Sequence, residues 1–523
     1  MAPPSKKTKT SSLSTTGINI SRFNELIQSN DAPLDEELKV LRQITADAQC
    51  ITSPMRRVPI EIKKLIFNAC METPQNSSDF ECLNTREPPW VLTQVCGDWR
   101  TIAENAHELW SHITLDFDKE RGLTDDQRVP HNLFLLDVRI VRAQHINQMT
   151  GNVHNLFVTI KSSHDVSSNP LFQTILQTAA YWKSLVVSLP MSSFSAWSAS
   201  RPPFPRLERL KTDLDGHDGI IRLWPQITDV FEVAPKLIEV TNRGFKLTFH
   251  SDTAIPSWYS TLSTYKCSFS YKAVDELRHL PNLQTLSLAC YSHIDVAPVT
   301  LPCVSYLQLT TAPKGEVADF ITTYKQLRLP GLTRVELMFP LFEVVFLQGS
   351  TGLPSIPISS ISLPPISNTV THLEIAEYKG RSTEGNQLLL DFLCCFPNLS
   401  SLSLRDHSPV AFIRLFKGLT VTPQAASSLL PNLETVKVAS YRSPDKDVLV
   451  DFVQSRRQNM DGVVQLKELE MCCNLVFSET ESDLSTRWNA LSSENGFTVR
   501  ISGTCQYRNF GFDFWRRKET ITV

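Results

Sequence analysis

One short phrase, apolar-x-x-apolar-x-apolar, returns along most of this chain and limits what the chain can fold into. It stands at Trp110/Ile113/Leu115, Val153/Leu156/Val158, Trp182/Leu185/Val187, Leu237/Val240 and Leu262/Tyr265/Cys267, with a weaker copy at Leu207/Leu210. It continues at Leu283/Leu286/Leu288, Val304/Leu307/Leu309, Leu332/Val335/Leu337, Val370/Leu373/Ile375, Leu399/Leu402/Leu404, Leu433/Val436/Val438 and Leu466/Leu469/Met471. The last two positions are two residues apart, the spacing of side chains on one face of a β-strand. A proline often stands two residues before the phrase, at Pro205, Pro235, Pro281, Pro302, Pro330, Pro397 and Pro431. Proline ends the preceding segment and opens a strand without owing a ladder hydrogen bond.

Helical periodicity fills several of the gaps, most clearly at 274–280, 317–327, 387–396, 424–430, 448–456 and 482–491. Strand and helix alternating at a mean step of about 30 residues imply a parallel sheet backed by helices. The pattern resembles leucine-rich repeats, which implies a curved, horseshoe-like solenoid with strands inside and helices outside. Steps vary widely, and the Asn or Cys usual after the strand occurs only at Asn474, so an irregular arc is expected. The Pro-, Ser- and Ile-rich stretch 341–368 reads as an inserted loop, and the aromatic-basic end at 510–518 as a cap on the last strand.

The stretch before the first copy is different. Residues 1–30 are rich in Ser, Thr, Lys and Pro and read as a disordered tail, its Lys6, Lys7 and Lys9 a solvated basic run. Residues 31–50 place Leu34, Leu38, Leu41 and Ile44 near one helix face, predicting a helix that leans on the module after it. In that module Pro59 suits a first helical turn, followed by Ile62, Leu65, Ile66 and Ala69 at helical spacing. A polar loop over 72–88 follows. Pro89 opens a second helix bearing Leu92, Val95, Cys96, Trp99, Ile102 and Ala103, and Leu109 and Trp110 close the unit. On periodicity alone, these stripes read first as the core of a small helical unit, because core stripes far outnumber docking stripes.

The order of these residues resembles the F-box, in the form found in the expanded fungal family. The first half reads Ser53-Pro54-Met55-Arg56-Arg57-Val58-Pro59-Ile60-Glu61-Ile62. The second half has Leu92, Val95-Cys96, Trp99-Arg100, Ile102-Ala103 and Leu109-Trp110. The resemblance implies docking to a Skp-type adaptor and through it to a cullin. It implies Pro59, Ile62, Ile66, Leu92, Val95, Cys96 and Trp99 as adaptor-facing residues. Val58 stands where the family favours leucine, and Lys63-Lys64 where an apolar residue is common, so weakened docking is expected.

Composition narrows the alternatives. Lys and Arg number 51 against 54 Asp and Glu, a net charge of −3 that argues against a nucleic-acid or anionic-membrane surface. No apolar run approaches the roughly 18 residues of a membrane span. The N-terminus lacks the apolar core of a secretory signal, and the 12 cysteines contain no C-x-x-C. They read as reduced, mostly buried thiols, which with the sequons at Asn76 and Asn398 taken as chance predicts an intracellular protein, in cytoplasm or nucleus. Asp213–Gly219 suggests a calcium loop, but Asp218 and Trp224 stand where Gly and Glu are needed. No nucleophile elbow, phosphate loop, dinucleotide fingerprint or zinc-protease motif occurs, and Cys96 reads as a buried thiol.

The sequence thus predicts an α/β protein without cofactor or metal. A disordered tail (1–30) precedes a helix and F-box module (31–116) and a leucine-rich-repeat-like horseshoe (117–523). The expected role is a non-catalytic substrate-recognition subunit of a Skp–cullin–F-box ubiquitin ligase, its target a protein held on the inner strand positions of 237–438. The alternatives are a non-degradative adaptor-bound scaffold and, less favoured, an enzyme whose site forms only in three dimensions.

Overall fold

The Pro-x-Leu phrases fold as turns. In the computed structural model, the leucine N–H donates to the carbonyl of the residue before the proline: Leu207 to Phe204, Leu237 to Ala234, Leu283 to Leu280, Leu332 to Leu329, Leu399 to Phe396 and Leu433 to Leu430. Proline fits the second position of such a turn, because its fixed φ is the one required there. A strand begins directly after each of these turns. The structure describes residues 39–46, 58–72, 83–118, 125–144, 155–200, 203–213, 226–227, 230–231, 233–243, 245–246, 257–267, 277–290, 298–311, 317–339, 367–376, 383–405, 409–421, 429–439, 445–458, 462–472, 482–493 and 496–501.

Among these residues, fourteen strands form one parallel sheet in strict chain order. They are β1 (His112–Asp116), β2 (Leu156–Lys161), β3 (Trp182–Ser188), β4 (Arg209–Asp213), β5 (Glu239–Arg243), β6 (Thr264–Cys267) and β7 (Thr285–Cys290), then β8 (Tyr306–Thr311), β9 (Arg334–Met338), β10 (His372–Ala376), β11 (Ser401–Arg405), β12 (Thr435–Ala439), β13 (Glu468–Cys472) and β14 (Thr498–Ile501). Every phrase from Trp110 to Leu466 lies at one of the first thirteen, with its described apolar positions buried. The sequence reading passed over β14, where Val499 and Ile501 lack a leucine three residues earlier. Two short parallel pairs, 226–227 with 245–246 and 299–300 with 327–328, stand outside this sheet.

The junctions from β4–β5 to β12–β13 repeat one hydrogen-bond device. From Ile238 onward, two successive N–H groups at a strand start converge on one carbonyl of the previous strand's start. Ser263 and Thr264 donate to Ile238 O, Gln284 and Thr285 to Ser263 O, and the sequence runs on to Lys467 and Glu468, which donate to Glu434 O. Asparagines of the Pro-Asn-Leu phrases add a second tie, Asn282 Nδ2 donating to Ser260 O at 2.6 Å and Asn398 Nδ2 to Asn368 O at 2.8 Å. Gly331 occupies the same place in its own phrase because a Cβ there would lie 2.8 Å from Pro302 O.

Helices α1 (Ile60–Glu72), α2 (Leu92–Val95) and α3 (Gly97–Glu104) belong to a first compact unit, whose later part is Thr85–Leu109. The sheet belongs to a second unit, made of Trp110 onward with Ser78–Asn84. The second unit's helices are α4 (Asp125–Gln144), α5 (Pro170–Leu176), α6 (Met191–Ser200), α7 (Val317–Lys325), α8 (Thr383–Leu393), α9 (Pro409–Leu419), α10 (Lys446–Arg457) and α11 (Ser482–Ser492). The chain is therefore a mixed α/β protein with a large parallel sheet, an arrangement compatible with an α/β solenoid. From α7 to α11, each helix packs on the next. Rings cross these contacts, Tyr324 on Phe392 at 5.9 Å and Phe416 on Phe452 at 4.8 Å.

Three departures from the sequence reading have physical causes. The serine-rich segment Met191–Ser200 has weak helical propensity, yet forms α6 because Phe194 and Trp197 join Phe172, Trp182, Phe204 and Phe231 in one aromatic core. Pro130 stands inside α4 as its sixth residue, where its missing N–H forgoes one hydrogen bond of the helix. The expected second N-terminal helix starts at Leu92 and not at Pro89. It is split at Cys96, whose extended backbone ends α2 and whose sulfur accepts from Trp99 N at 3.5 Å to start α3.

Arg456 of α10 is fully buried without a carboxylate. Its guanidinium donates to Leu419 O (3.1 and 2.9 Å), Leu430 O (2.7 Å) and Leu429 O. Leu419 is the last residue of α9, so the cation meets the negative end of that helix's dipole. Burial lowers its pKa to about 10, and the carbonyl cage accounts for a charge held in the interior.

The tail 1–30, the calcium-like loop after Asp213, the stretch 340–366, Asn474 and the segment 510–518 lie outside the described residues. Of the expected 31–50 helix, residues 39–46 are described and helical, with Val40 and Ile44 exposed. Among described cysteines, Cys267 and Cys395 are buried free thiols, while Cys303 and Cys394 are exposed. Cys472 is disulfide-bonded, which departs from the expectation of uniformly reduced, mostly buried thiols.

Candidate functional site

Helix α1 offers two ways to pack. Its sequence, IEIKKLIFNACME, places Ile62, Leu65, Ile66 and Ala69 on one stripe and Lys63 and Phe67 on another. Burial of apolar surface alone favours the first stripe inward. The structure turns the second one in. Phe67 is fully buried and its ring lies 4.8 Å from that of Trp99 on α3. Lys63 is only 5% exposed, with Nζ donating to Asp98 Oδ2 at 2.6 Å.

The outward face is correspondingly apolar. Ile60 is 48% exposed, Ile62 45% and Leu65 61%, and on α2 Val95 is 56% exposed. Lys64 is also exposed. Of the residues the sequence nominated, Pro59 is exposed ahead of α1, where its carbonyl accepts from Lys63 N at 3.0 Å. Ile62 and Val95 lie outward, and Ile66 is half-buried at the edge between the two stripes. Leu92 is buried and serves the interior of the unit. Cys96 is half-buried and caps α3, which corrects its reading as a buried thiol, and Trp99 is half-buried against Phe67. Ile60 and Leu65 were not nominated, yet both are open. The i, i+4 pair Lys63 and Phe67 defines the inward side and so finds Leu65, whereas Ile60 shares that stripe and is open at the first residue of the helix.

The sheet has a second face of its own. Residues between the buried phrase positions point away from the core, and strand register aligns them in a row: Lys266, Ser287, Gln308, Glu336, Glu374, Ser403, Lys437. The middle of this row is a closed network. Ser287 Oγ donates to Gln308 Oε1 at 2.6 Å, and Gln308 Nε2 to Glu336 Oε1 at 3.1 Å. Tyr306 OH donates to Glu336, and Arg405 bridges Glu336 and Glu374 at 3.5 and 3.4 Å. Glu374 also meets Arg334 at 3.3 Å. Burial raises the Glu374 pKa and the neighbouring Glu336 carboxylate raises it further, against the two arginines. Burial likewise raises Tyr306, with Glu336 adding to it.

A third cluster, which the sequence did not flag, joins Asp118, Ser162, Ser163 and His164 beyond the ends of β1 and β2. Ser163 donates its N–H (2.9 Å) and hydroxyl (2.6 Å) to Asp118. Burial pushes the Asp118 pKa up, but the Ser163 bonds and His164 outweigh it and hold the carboxyl low. The residue types are those of a hydrolytic relay, but the geometry is not. The Asp118 carboxylate (3.3 Å) and the Ser162 hydroxyl (3.1 Å) meet the same ring nitrogen, Nδ1, whereas a relay needs them on opposite nitrogens. The cluster ties two loops together.

Among the described residues, no group of three or more His, Cys, Asp or Glu is arranged to hold a metal, and no helix is long and apolar enough to cross a membrane. No protein-family model matches the chain, and a comparison with curated proteins returns no match.

Proposed function

We propose that this chain is the substrate-recognition subunit of a Skp–cullin–F-box ubiquitin ligase. Residues 54–115 dock a Skp-type adaptor, and the second unit, a leucine-rich-repeat-like horseshoe, holds a target protein on the polar face of its strands. The chain then acts by proximity, bringing target and ubiquitin-conjugating enzyme together rather than making or breaking bonds.

One observation carries this reading. Helix α1 buries a lysine and leaves two isoleucines and a leucine outside, and Val95 of α2 is exposed as well. A helix with its apolar stripe turned outward is disposed for a partner's groove. The ordered resemblance of 53–110 to the F-box names that partner's class. The expected penalty of Lys63 is removed on this reading, since its side chain is withdrawn from the outward face, while Glu61 and Lys64 stay exposed on the helix.

The test is capture from cell extract with the full chain, with the 54–112 deletion and with Leu65→Glu. Adaptor and cullin on the full chain alone, with co-captured proteins gaining ubiquitin, support the proposal. Adaptor without ubiquitinated partners supports the non-degradative scaffold instead. Adaptor on neither the full chain nor its variants overturns both.

A further inference from the structure

The geometry points to the Lys63–Asp98 ion pair as the positioning element of the outward face. It selects which side of α1 is buried, and so keeps Ile62 and Leu65 available. The inference rests on the docking reading only in naming what that face serves.

The two stripes of α1 are centred about 130° apart around the helix, at 100° per residue. Turning α1 by that angle would bury Ile62, Leu65 and Ile66 against α3, a gain in apolar burial over Phe67 with a lysine. Hydrophobic packing therefore does not by itself explain the setting observed. The turn would, however, carry Lys63 Nζ away from Asp98 Oδ2, now 2.6 Å distant. Asp98 lies in the first turn of α3, where a carboxylate is favoured by the helix dipole, and its side chain is half exposed. The Lys63 stem lies along the apolar interior and only its head needs the carboxylate. Buried ionic groups commonly add little stability, yet they penalise every arrangement that leaves them unpaired, which is how a single polar contact fixes register.

A labelling experiment on the free, full-length protein tests this. Leu65→Cys is introduced, and its alkylation by N-ethylmaleimide is followed by peptide-resolved mass spectrometry, which separates it from the native thiols. The backgrounds are the parent, Lys63→Arg, Asp98→Ala, and the double variant Lys63→Met with Asp98→Asn. Methionine fits the inward site and removes the charge, so the double variant is expected to keep helix content and melting temperature. Rapid labelling in the parent and in Lys63→Arg is expected, with at least threefold slower labelling in Asp98→Ala and in the double variant as α1 turns. If Asp98→Ala loses helix content, the double variant decides. Parent-rate labelling there means that packing alone sets the helix and overturns the inference. Faster labelling there overturns it too, because the pair would then hold the unit folded without selecting its orientation. No partner enters this readout, so it and adaptor capture succeed or fail separately.

Discussion

Truncating Leu65 and truncating Phe67, two residues apart on one helix, should have opposite consequences. Burying a leucine fully is worth about 1.5–3 kcal/mol. Leu65 is still 61% exposed in the chain alone. Docking can therefore recover about 1–2 kcal/mol from it, or roughly five- to thirtyfold in Kd. Its own fold loses little, about 0.5 kcal/mol or less for an exposed position. Phe67 is the reverse: fully buried against Trp99, its replacement by alanine should cost about 3–5 kcal/mol of the first unit's stability. Ile60, Ile62, Leu65 and Val95 together leave about two side chains' worth of apolar surface open, which sets the whole face at roughly 3–6 kcal/mol. The measurements are thermal melting of each variant and calorimetric titration with a purified Skp-type adaptor. Leu65→Ala should melt with the parent and bind more weakly. If it melts as low as Phe67→Ala, or binds as tightly as the parent, the assignment of an outward docking face is wrong.

Three further outcomes follow from the second unit. Arg456→Met removes the donors from Leu419 O, Leu429 O and Leu430 O and should cost about 3 kcal/mol or more in denaturant unfolding, because buried carbonyls are left unpaired. Gly331→Ala drives a methyl into Pro302 O and should lower stability by about 1–3 kcal/mol by the same measurement. Glu374 has a folded pKa above its unfolded value, so its ionisation works against the fold. Stability contributed by its protonated form is present below the unfolded pKa and is lost as pH rises through the folded one. Glu374→Gln should therefore flatten the decline in melting temperature on the alkaline side of the normal glutamate range, and an unchanged slope would refute the assignment.

The sheet was legible because its signal is redundant. Leu283, Leu286 and Leu288 repeat the information of Leu399, Leu402 and Leu404, so chance matches and weak copies such as Leu207/Leu210 do not change the count of rungs. What the phrase hides is its asparagine: the sequence explains the proline of Pro-Asn-Leu locally, while Asn282 and Asn398 act on the preceding rung, which is remote in sequence. Helix α6 was illegible for a similar reason, since Phe194 and Trp197 act through rings contributed by distant segments. At the N-terminal unit, periodicity found the stripes of α1 but not which one faces in. That choice depends on Asp98, 35 residues further along the chain.

The strict chain order of the fourteen strands has a consequence for synthesis. Each strand pairs with its predecessor in the chain, and the paired N–H groups at the starts of β5 to β13 donate back to residues already made. No rung waits for the C-terminus. At about 5–20 residues per second, a new step of about 30 residues clears the ribosome every few seconds, far slower than a strand and helix can form. The nascent chain can thus lengthen its sheet one rung at a time, with one growing strand edge opposite the fixed edge at β1. A premature stop would leave a shorter sheet with the same kind of open end, rather than an unfolded fragment.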